Sequence, residues 1–169
     1  MKQSKIILLI GGLITGFISS SSAQIMLPDF TVIAVRYKYL SAVDNKELPQ
    51  PVRLLERKAV QYDIKNSELY ADEYDEYDIT FILPSGYILA TYDKDGKLLR
   101  SAERYQDVAL PATVVQAVGK KFPQWGFTKD LYLVTYHEAN GAKKVWKITL
   151  QNGDMRLRVK ADEKGNLIE

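Results

Sequence analysis

Six carboxylates and three tyrosines fall within eleven residues of this chain, from Glu68 to Asp78. Tyrosine offers a large contact surface with a polar tip, and carboxylates steer a basic partner during encounter. The segment therefore predicts a protein-recognition loop, which requires Tyr74 and Tyr77 to be substantially exposed. The candidate partner-binding residues in it are Tyr70, Asp72, Glu73, Tyr74, Asp75, Glu76 and Tyr77.

The same segment has two other interpretations. A solvated hairpin with its tyrosines under the sheet has the same composition, because exposed charge runs often do no more than face water. Calcium takes about six or more oxygen ligands, but the segment lacks the glycine and the closing glutamate of an EF-hand. The turn Asp93 to Gly96 is similarly incomplete. We predict no metal site at either place.

Trp125 is a further candidate for partner contact. It lies just after the second predicted helix, where it is either a core side chain or an exposed anchor, and indole rings are mostly buried. A basic patch is the other candidate, and it has three interpretations: a site for an acidic partner or polysaccharide, a solvated sheet face, or a contact with the acidic half of the chain. Its residues are Lys147, Arg156, Arg158 and Lys160.

The sequence contains few of the residues and motifs that catalysis requires. His137 is the only histidine and cysteine is absent, so a histidine-based triad, a multi-histidine zinc site and a thiolate metal site cannot be assembled. The chain contains no Gly-x-Ser-x-Gly, Walker, Gly-x-Gly-x-x-Gly or His-Glu-x-x-His motif. We expect a protein that is not an enzyme and needs no cofactor.

The N-terminus has the pattern of a secretory signal peptide. Lys2 and Lys5 precede an apolar run from Ile6 to Ile18, and Ser21-Ser22-Ala23 supplies the small residues of a cleavage site. A membrane anchor is the alternative, but the run is shorter than the roughly 20 residues that cross a bilayer. We expect cleavage after Ala23 and a periplasmic or secreted protein with no stable membrane insertion.

Charge is balanced overall but not along the chain. Residues 24–169 hold 21 basic and 21 acidic side chains, which removes the main electrostatic argument for nucleic acid. Residues 24–99 hold 9 basic and 13 acidic groups, whereas residues 100–169 hold 12 and 8. Docking of the two halves against each other, or contact of each with a partner, explains such an asymmetry.

Local patterns predict strands and short helices. The run from Phe30 to Leu40 is rich in β-branched and aromatic residues and predicts a strand. Prolines mark two helix starts, since a proline in the first turn loses no hydrogen bond. The first helix, from Pro49, has the apolar face Val52, Leu55, Ala59 and Tyr62, and the second, from Pro111, has Val115, Val118 and Phe122.

Asn-Gly and similar turns predict a series of hairpins, because they supply the positive φ angles of tight turns. In the second half these turns separate four runs that predict an antiparallel meander: residues 131–138, 144–150, 155–161 and 167–169. In the first half Tyr77 to Leu83 alternates between two faces before the chain turns into Tyr87 to Tyr92. Each helix must lie on such a sheet, because about three turns are marginal alone.

The predicted elements occur twice. Leu48-Pro49 and Leu110-Pro111 open the two copies, and Asp93 to Leu98 and Asp162 to Leu167 lie near their ends. The predicted fold class is α+β, a tandem repeat of two units, each a short helix on an antiparallel meander. The predicted boundaries are a signal peptide at 1–23, a first repeat at 24–105 and a second repeat at 106–169.

These residues, with the helix end Lys120-Lys121-Phe122-Pro123, resemble the PepSY-like family of exported Bacteroidetes-type proteins. The resemblance covers roughly residues 28–169 and is clearer in the second half. It implies the fold of β-lactamase inhibitory protein in each half, and a role in binding or inhibiting other proteins. The resemblance implies no catalytic residues. The segment from Glu68 to Asp78, which we call the acidic run or acidic tyrosine run, departs from the family's pattern.

Three functions are compatible with the sequence. The favoured one is an exported protein-binding or inhibitor-like module whose partner is an envelope or secreted protein. A periplasmic protein that binds a small ligand or a cation is the alternative, and it requires a concave site. A structural component of an envelope assembly is the third, and it would self-associate.

Overall fold

The computed structural model describes residues 34–168, and of residues 34–37 only the backbone. The predicted signal peptide and the start of the predicted first strand lie outside this range. The elements in chain order are α1 (Ala34–Val43), α2 (Gln50–Gln61), β1 (Glu76–Leu83), β2 (Gly86–Asp93), β3 (Leu98–Gln106), α3 (Ala112–Lys121), β4 (Gly126–His137), β5 (Gly141–Asn152), β6 (Met155–Ala161) and β7 (Leu167–Ile168).

The seven strands form one antiparallel sheet in the order β1 to β7. Every strand therefore pairs with its neighbour in sequence, as short hairpin connections require. Gly141 and Gly153 take the positive φ angles of 75° and 55° that the Asn-Gly pattern predicts. The antiparallel meander of the second half is confirmed, with longer β4 and β5 strands than predicted.

The predicted internal repeat is not confirmed. β3 and β4, which the predicted boundary separates, pair continuously from Arg100–His137 to Gln106–Leu131. One hydrophobic cluster contains residues from both predicted units, including Val52 of α2 and Trp146 of β5. The mixed fold with an antiparallel sheet is confirmed, and the boundaries at 24–105 and 106–169 stay predictions.

Helix α2 begins as its prolines predict and covers the first hairpin of the sheet. Its apolar face buries Val52, Leu55, Ala59 and Val60, and its closest elements are α1, β1 and β2. Tyr92 of β2 donates a hydrogen bond from its hydroxyl to the Ala59 carbonyl at 2.6 Å. This contact ties the helix to the sheet because both groups are buried.

The predicted strand from Phe30 to Leu40 is wrong over its described part, which belongs to α1. Tyr39 and Val43 are one helical turn apart and almost fully buried, whereas Lys38 and Ser41 face solvent. α1 packs on β3, β4 and β5, and the Tyr39 ring meets the edge of Tyr136 at 5.1 Å. Tertiary packing on one helical stripe overrides the β propensity of this segment.

The apolar stripe of α3 is rotated from its prediction. Val114 and Val118 are buried, whereas Val115 is 40% exposed. The face Val114–Val118–Phe122 repeats every four residues, which is the spacing that keeps one side of a helix on a sheet. The turn before β7 contacts this helix, because Thr113 donates from its hydroxyl to the Glu163 carbonyl at 3.1 Å.

Replacing Gly165 by alanine should lower the free energy of unfolding by about 1–3 kcal/mol. Gly165 has φ +82°, and a Cβ atom there would lie 2.6 Å from the Ala117 Cβ and 2.9 Å from the Thr113 carbonyl oxygen of α3. Urea unfolding measures the loss. Gly153→Ala is the control, since Gly153 also has a positive φ but its Cβ would meet no atom within 4 Å. Equal losses in the two variants would contradict a role for the α3 contact.

Candidate functional site

The acidic tyrosine run is an ordered segment that leads into β1. Tyr77 is only 7% exposed, and its hydroxyl donates to the Ala71 carbonyl and accepts from the Ala71 N–H. Tyr70 stacks on the Tyr77 ring at 5.8 Å, and Tyr74 meets it edge-on at 6.2 Å. The expected exposure of Tyr77 is therefore wrong, because this tyrosine is the centre of an aromatic cluster that orders the segment.

The rest of the run faces solvent. Tyr74 is 54% exposed, and the neighbouring Leu69 is 60% exposed. The exposed carboxylates around them are Glu68, Asp72, Glu73, Asp75 and Glu76. Glu76 pairs with Arg100 of β3 at 2.8 Å, whereas no ion pair among residues 34–168 involves the other four. The run thus presents negative charge beside two exposed apolar side chains.

Trp125 lies at the other end of the sheet from this run. It is half-buried against the hydrophobic cluster, directly before β4. The strand register places Glu76 beside Asp93, at the end of the sheet where Arg100 faces His137. Gly126 instead pairs with Gln151, beyond the far end of β3. The structure therefore does not bring Trp125 together with the other candidate residues.

One face of the sheet carries no helix among the described residues, and we call it the open face. Side chains alternate along the strands, so the face opposite the buried core is fixed by the register. Ile82, Tyr87 and Leu89 lie on it with exposures of 72%, 41% and 40%. Ile82 pairs directly with Tyr87, and Tyr87 pairs with Arg104. Large apolar side chains exposed side by side mark a contact surface more strongly than scattered ones.

A groove of about 640 Å³ crosses the open face from β3 to β6, and we call it the basic groove. The cations that line it are Arg104, Lys129, Lys147, Arg158 and Lys160. A neighbouring groove of about 580 Å³ shares Lys129 and Arg158 and adds Arg156. The predicted outward orientation of the basic residues on β6 is confirmed, and four strands bring them together with Arg104.

A second polar cluster lies buried between the helices and the sheet. Glu103 of β3 accepts hydrogen bonds from the hydroxyls of Tyr39 at 2.7 Å, Ser101 at 3.0 Å and Tyr105 at 3.0 Å. Burial raises the pKa of Glu103, and the three hydroxyl donors oppose that rise by stabilising its ionised form. Glu103 therefore fastens α1 to the middle of the sheet.

Glu56 of α2 is the second buried carboxyl of this cluster. Burial, and next the negative charge of Glu103, raise its pKa from 4.5 to about 9. It is 1% exposed, and its Oε1 atom has no hydrogen-bond partner. Glu56 is consequently protonated at neutral pH. Two buried carboxyl groups that influence each other's pKa are a frequent feature of active sites, but structural networks produce them as well.

Lys144 of β5 completes the buried cluster. Its Nζ lies 3.0 Å from Glu163 Oε2 and donates to the Val43 carbonyl at 3.0 Å. Tyr132 donates from its hydroxyl to Glu163 Oε1 at 3.1 Å, and its ring stacks on Trp146 at 4.3 Å. These contacts link the C-terminal end of α1 to β4, β5 and the turn after β6. The cluster supports the packing of the fold.

The described residues hold neither a metal-binding cluster nor a helix that could span a membrane. Residues 34–168 contain no group of three or more histidine, cysteine, aspartate or glutamate side chains placed to hold a metal ion. No helix in that range is both long and apolar enough to span a bilayer. His137, the single histidine, lies at the exposed end of β4, where its Nδ1 accepts the Ala139 N–H at 3.1 Å.

The open face as a continuous surface was not predicted from the sequence. Its apolar part has one local signal: β1 and β2 are apolar at both parities, as Phe81-Ile82-Leu83 shows, although only one parity can lie in the core. No comparable local pattern in the sequence indicates that Arg104 belongs to this surface. It joins the basic residues of β6 only through the pairing of four strands.

Comparisons with known proteins leave the family open. No family model matches the chain, and no curated protein matches it. The crystal structure of a DUF2874 family protein from Bacteroides ovatus is similar over 74% of this chain and 87% of that chain, with 13% sequence identity and a TM-score of 0.35. A similarity this weak supports no argument about family, and the resemblance to PepSY-like proteins stays a prediction.

Proposed function

We propose that the chain is an exported, non-catalytic binding module, and that another protein docks on the apolar part of its open face. The observation that supports this is the adjacent exposure of Ile82, Tyr87 and Leu89 on β1 and β2. Burying such side chains against a partner gains about 25 cal/mol for each Å² of apolar surface removed from water. Aromatic residues such as Tyr87 are enriched in protein interfaces.

The surrounding charges give this surface specificity. Arg104 follows Tyr87 across the sheet, and Arg100 lies on the same strand. Charges at the rim of an interface set partner choice and association rate more than affinity. The proposed partner is an envelope or secreted protein, consistent with the predicted export signal. Tyr74, with Asp72, Glu73 and Asp75, is proposed as a second contact.

The protein-binding proposal is tested by capture of envelope proteins on the chain from residue 24 to 169. The variant Ile82→Ser/Leu89→Ser should lose a protein that the wild type retains. Leu54→Ser/Val115→Ser is the matched control, because these side chains are similarly exposed, at 46% and 40%, but lie on helices. The proposal fails if the two variants capture the same proteins as the wild type.

A small-ligand function has one observation in its favour, the volume of the basic groove. A groove of about 640 Å³ lies within the range of ligand sites, which is roughly 300–1,000 Å³. Its five cations make the ligand an anion rather than the cation that the acidic run suggested. A rise in the thermal midpoint with a small anion, in a variant that no longer captures protein, would favour this function.

A further inference from the structure

The basic groove carries more positive than negative charge, because five cations and two carboxylates line it. Lys147 and Lys160 lie directly opposite each other on β5 and β6. Like charges at such positions destabilise a strand pair. No ion pair among the described residues involves Arg104, Lys129, Lys147 or Arg158. An anionic occupant would therefore gain attraction to these four cations.

Two carboxylates also line the groove, and they leave its net charge positive. Asp130 is engaged by the backbone, since its Oδ1 accepts the Val108 N–H at 3.1 Å. Asp107 lies in the exposed turn after β3. Leu131 pairs directly with Lys147 and lies between the cations, so the groove is apolar as well as basic. Its complement is a segment that carries carboxylates and apolar side chains together.

The acidic run of this chain has that chemistry. Glu73 and Asp75 flank Tyr74, and both carboxylates are exposed. The run cannot reach the groove of its own chain, because Tyr77 and the Ala71 backbone hold it in front of β1. The Lys94 N–H also donates to the Asp75 carbonyl at 3.2 Å, which fixes the run at the turn between β2 and β3. Residues of β3 to β6 line the groove, and they lie at the end of the sheet opposite to the acidic run.

We propose that the acidic run of one copy docks in the basic groove of a second copy. The acidic and basic regions of the sequence then neutralise each other between molecules. Within the chain, only Glu76–Arg100 among the described ion pairs joins an acid of the first half to a base of the second. The two surfaces are different patches, so the contact is heterologous and builds open chains or a closed ring.

The test is self-association of residues 24–169, followed by sedimentation or light scattering over a range of concentrations. At low ionic strength the weight-average mass should at least double as concentration rises. It should fall to the monomer value in about 0.5 M NaCl, where exposed charges are screened beyond a few Å. A wild-type chain that stays monomeric at low ionic strength overturns the proposal and leaves partner binding at Ile82 and Leu89 untouched.

Charge reversal locates the contact. A groove variant, Lys147→Glu/Arg158→Glu, and a run variant, Glu73→Lys/Asp75→Lys, should each be monomeric alone. Mixing the two should restore association, because each then offers a surface that the other complements. Recovery in the mixture cannot result from misfolding of either variant. Absence of recovery overturns the proposal.

A matched control separates this contact from general charge effects. Lys121→Glu/Lys164→Glu makes the same change in net charge at exposed positions on α3 and the turn before β7. This variant should associate as the wild type does. Loss of association in the control as well would show that net charge rather than the groove is responsible, and would overturn the proposal.

Discussion

The variant Glu56→Gln should lose much less stability than the wild type as pH rises from 5 to 9. The pKa of Glu56 is about 9 in the folded protein and 4.5 ordinarily. Between these values the folded protein holds a proton that the unfolded chain has released. Raising the pH therefore favours unfolding through this window, and the effect levels off above the folded pKa.

The expected magnitude follows from the width of the window. Each pH unit within it changes the free energy of unfolding by about 1.4 kcal/mol, so the stability of Glu56→Gln relative to wild type should increase by about 3 kcal/mol from pH 5 to pH 7. The difference in free energy of unfolding between variant and wild type is compared at two pH values. Any packing cost of the amide that does not depend on pH then cancels. Urea unfolding at several pH values gives both profiles.

The control for this experiment is Glu68→Gln. Glu68 is an exposed carboxylate in the run before β1. Its replacement should give a profile parallel to the wild type over the whole range. Parallel profiles for Glu56→Gln and the wild type would contradict the assignment of a protonated, buried acid to Glu56.

The parts of the fold that local sequence determines were predictable. The turns at Gly141 and Gly153 need positive φ angles, which Asn-Gly supplies within two residues. Pro49 and Pro51 place the start of α2 within one residue, because proline is tolerated only in the first turn. Neither inference required knowledge of a distant residue.

Helix α1 was not predictable in this way, because its partners are distant in sequence. Tyr39 reaches Glu103, which is 64 residues away, and its ring contacts Tyr136 of β4. Within the segment itself, β-branched and aromatic residues favour a strand. The stripe of Tyr39 and Val43 at helical spacing was the available signal, and two residues are too few to distinguish a period of 3.6 from one of 2.

The candidate sites that are contiguous in sequence were predictable, and those that distant strands assemble were not. The acidic run is contiguous, so composition alone identified it, but the burial of Tyr77 depends on a fold-back onto the Ala71 backbone. The basic groove combines Arg104 with Arg158, and only the register of β3 to β6 brings them together. Glu56 lies on the apolar face of α2 and Glu103 on the buried face of β3, so a search for charged residues at core positions would have found both.

Replacing Glu103 by alanine should be among the most destabilising single changes in the described structure, with a loss of about 3–5 kcal/mol in the free energy of unfolding from the cavity and the lost hydrogen bonds together. The change leaves the hydroxyls of Tyr39, Ser101 and Tyr105 without their acceptor. A buried polar group without a partner costs about 1–3 kcal/mol. The substitution also removes the hydrogen bond between Tyr39 and Glu103, which fastens α1 to β3.

Smaller variants separate the carboxylate from the cavity that alanine leaves. Glu103→Gln keeps the volume but replaces an acceptor oxygen by a donor, so it should lose less than alanine does. Tyr39→Phe removes one hydrogen bond and should cost about 1 kcal/mol. In both variants hydrogen exchange of the α1 amides should accelerate more than that of α3, because α1 is held through Tyr39. Uniform acceleration of both helices, or an alanine variant as stable as the wild type, would show that Glu103 does not anchor α1.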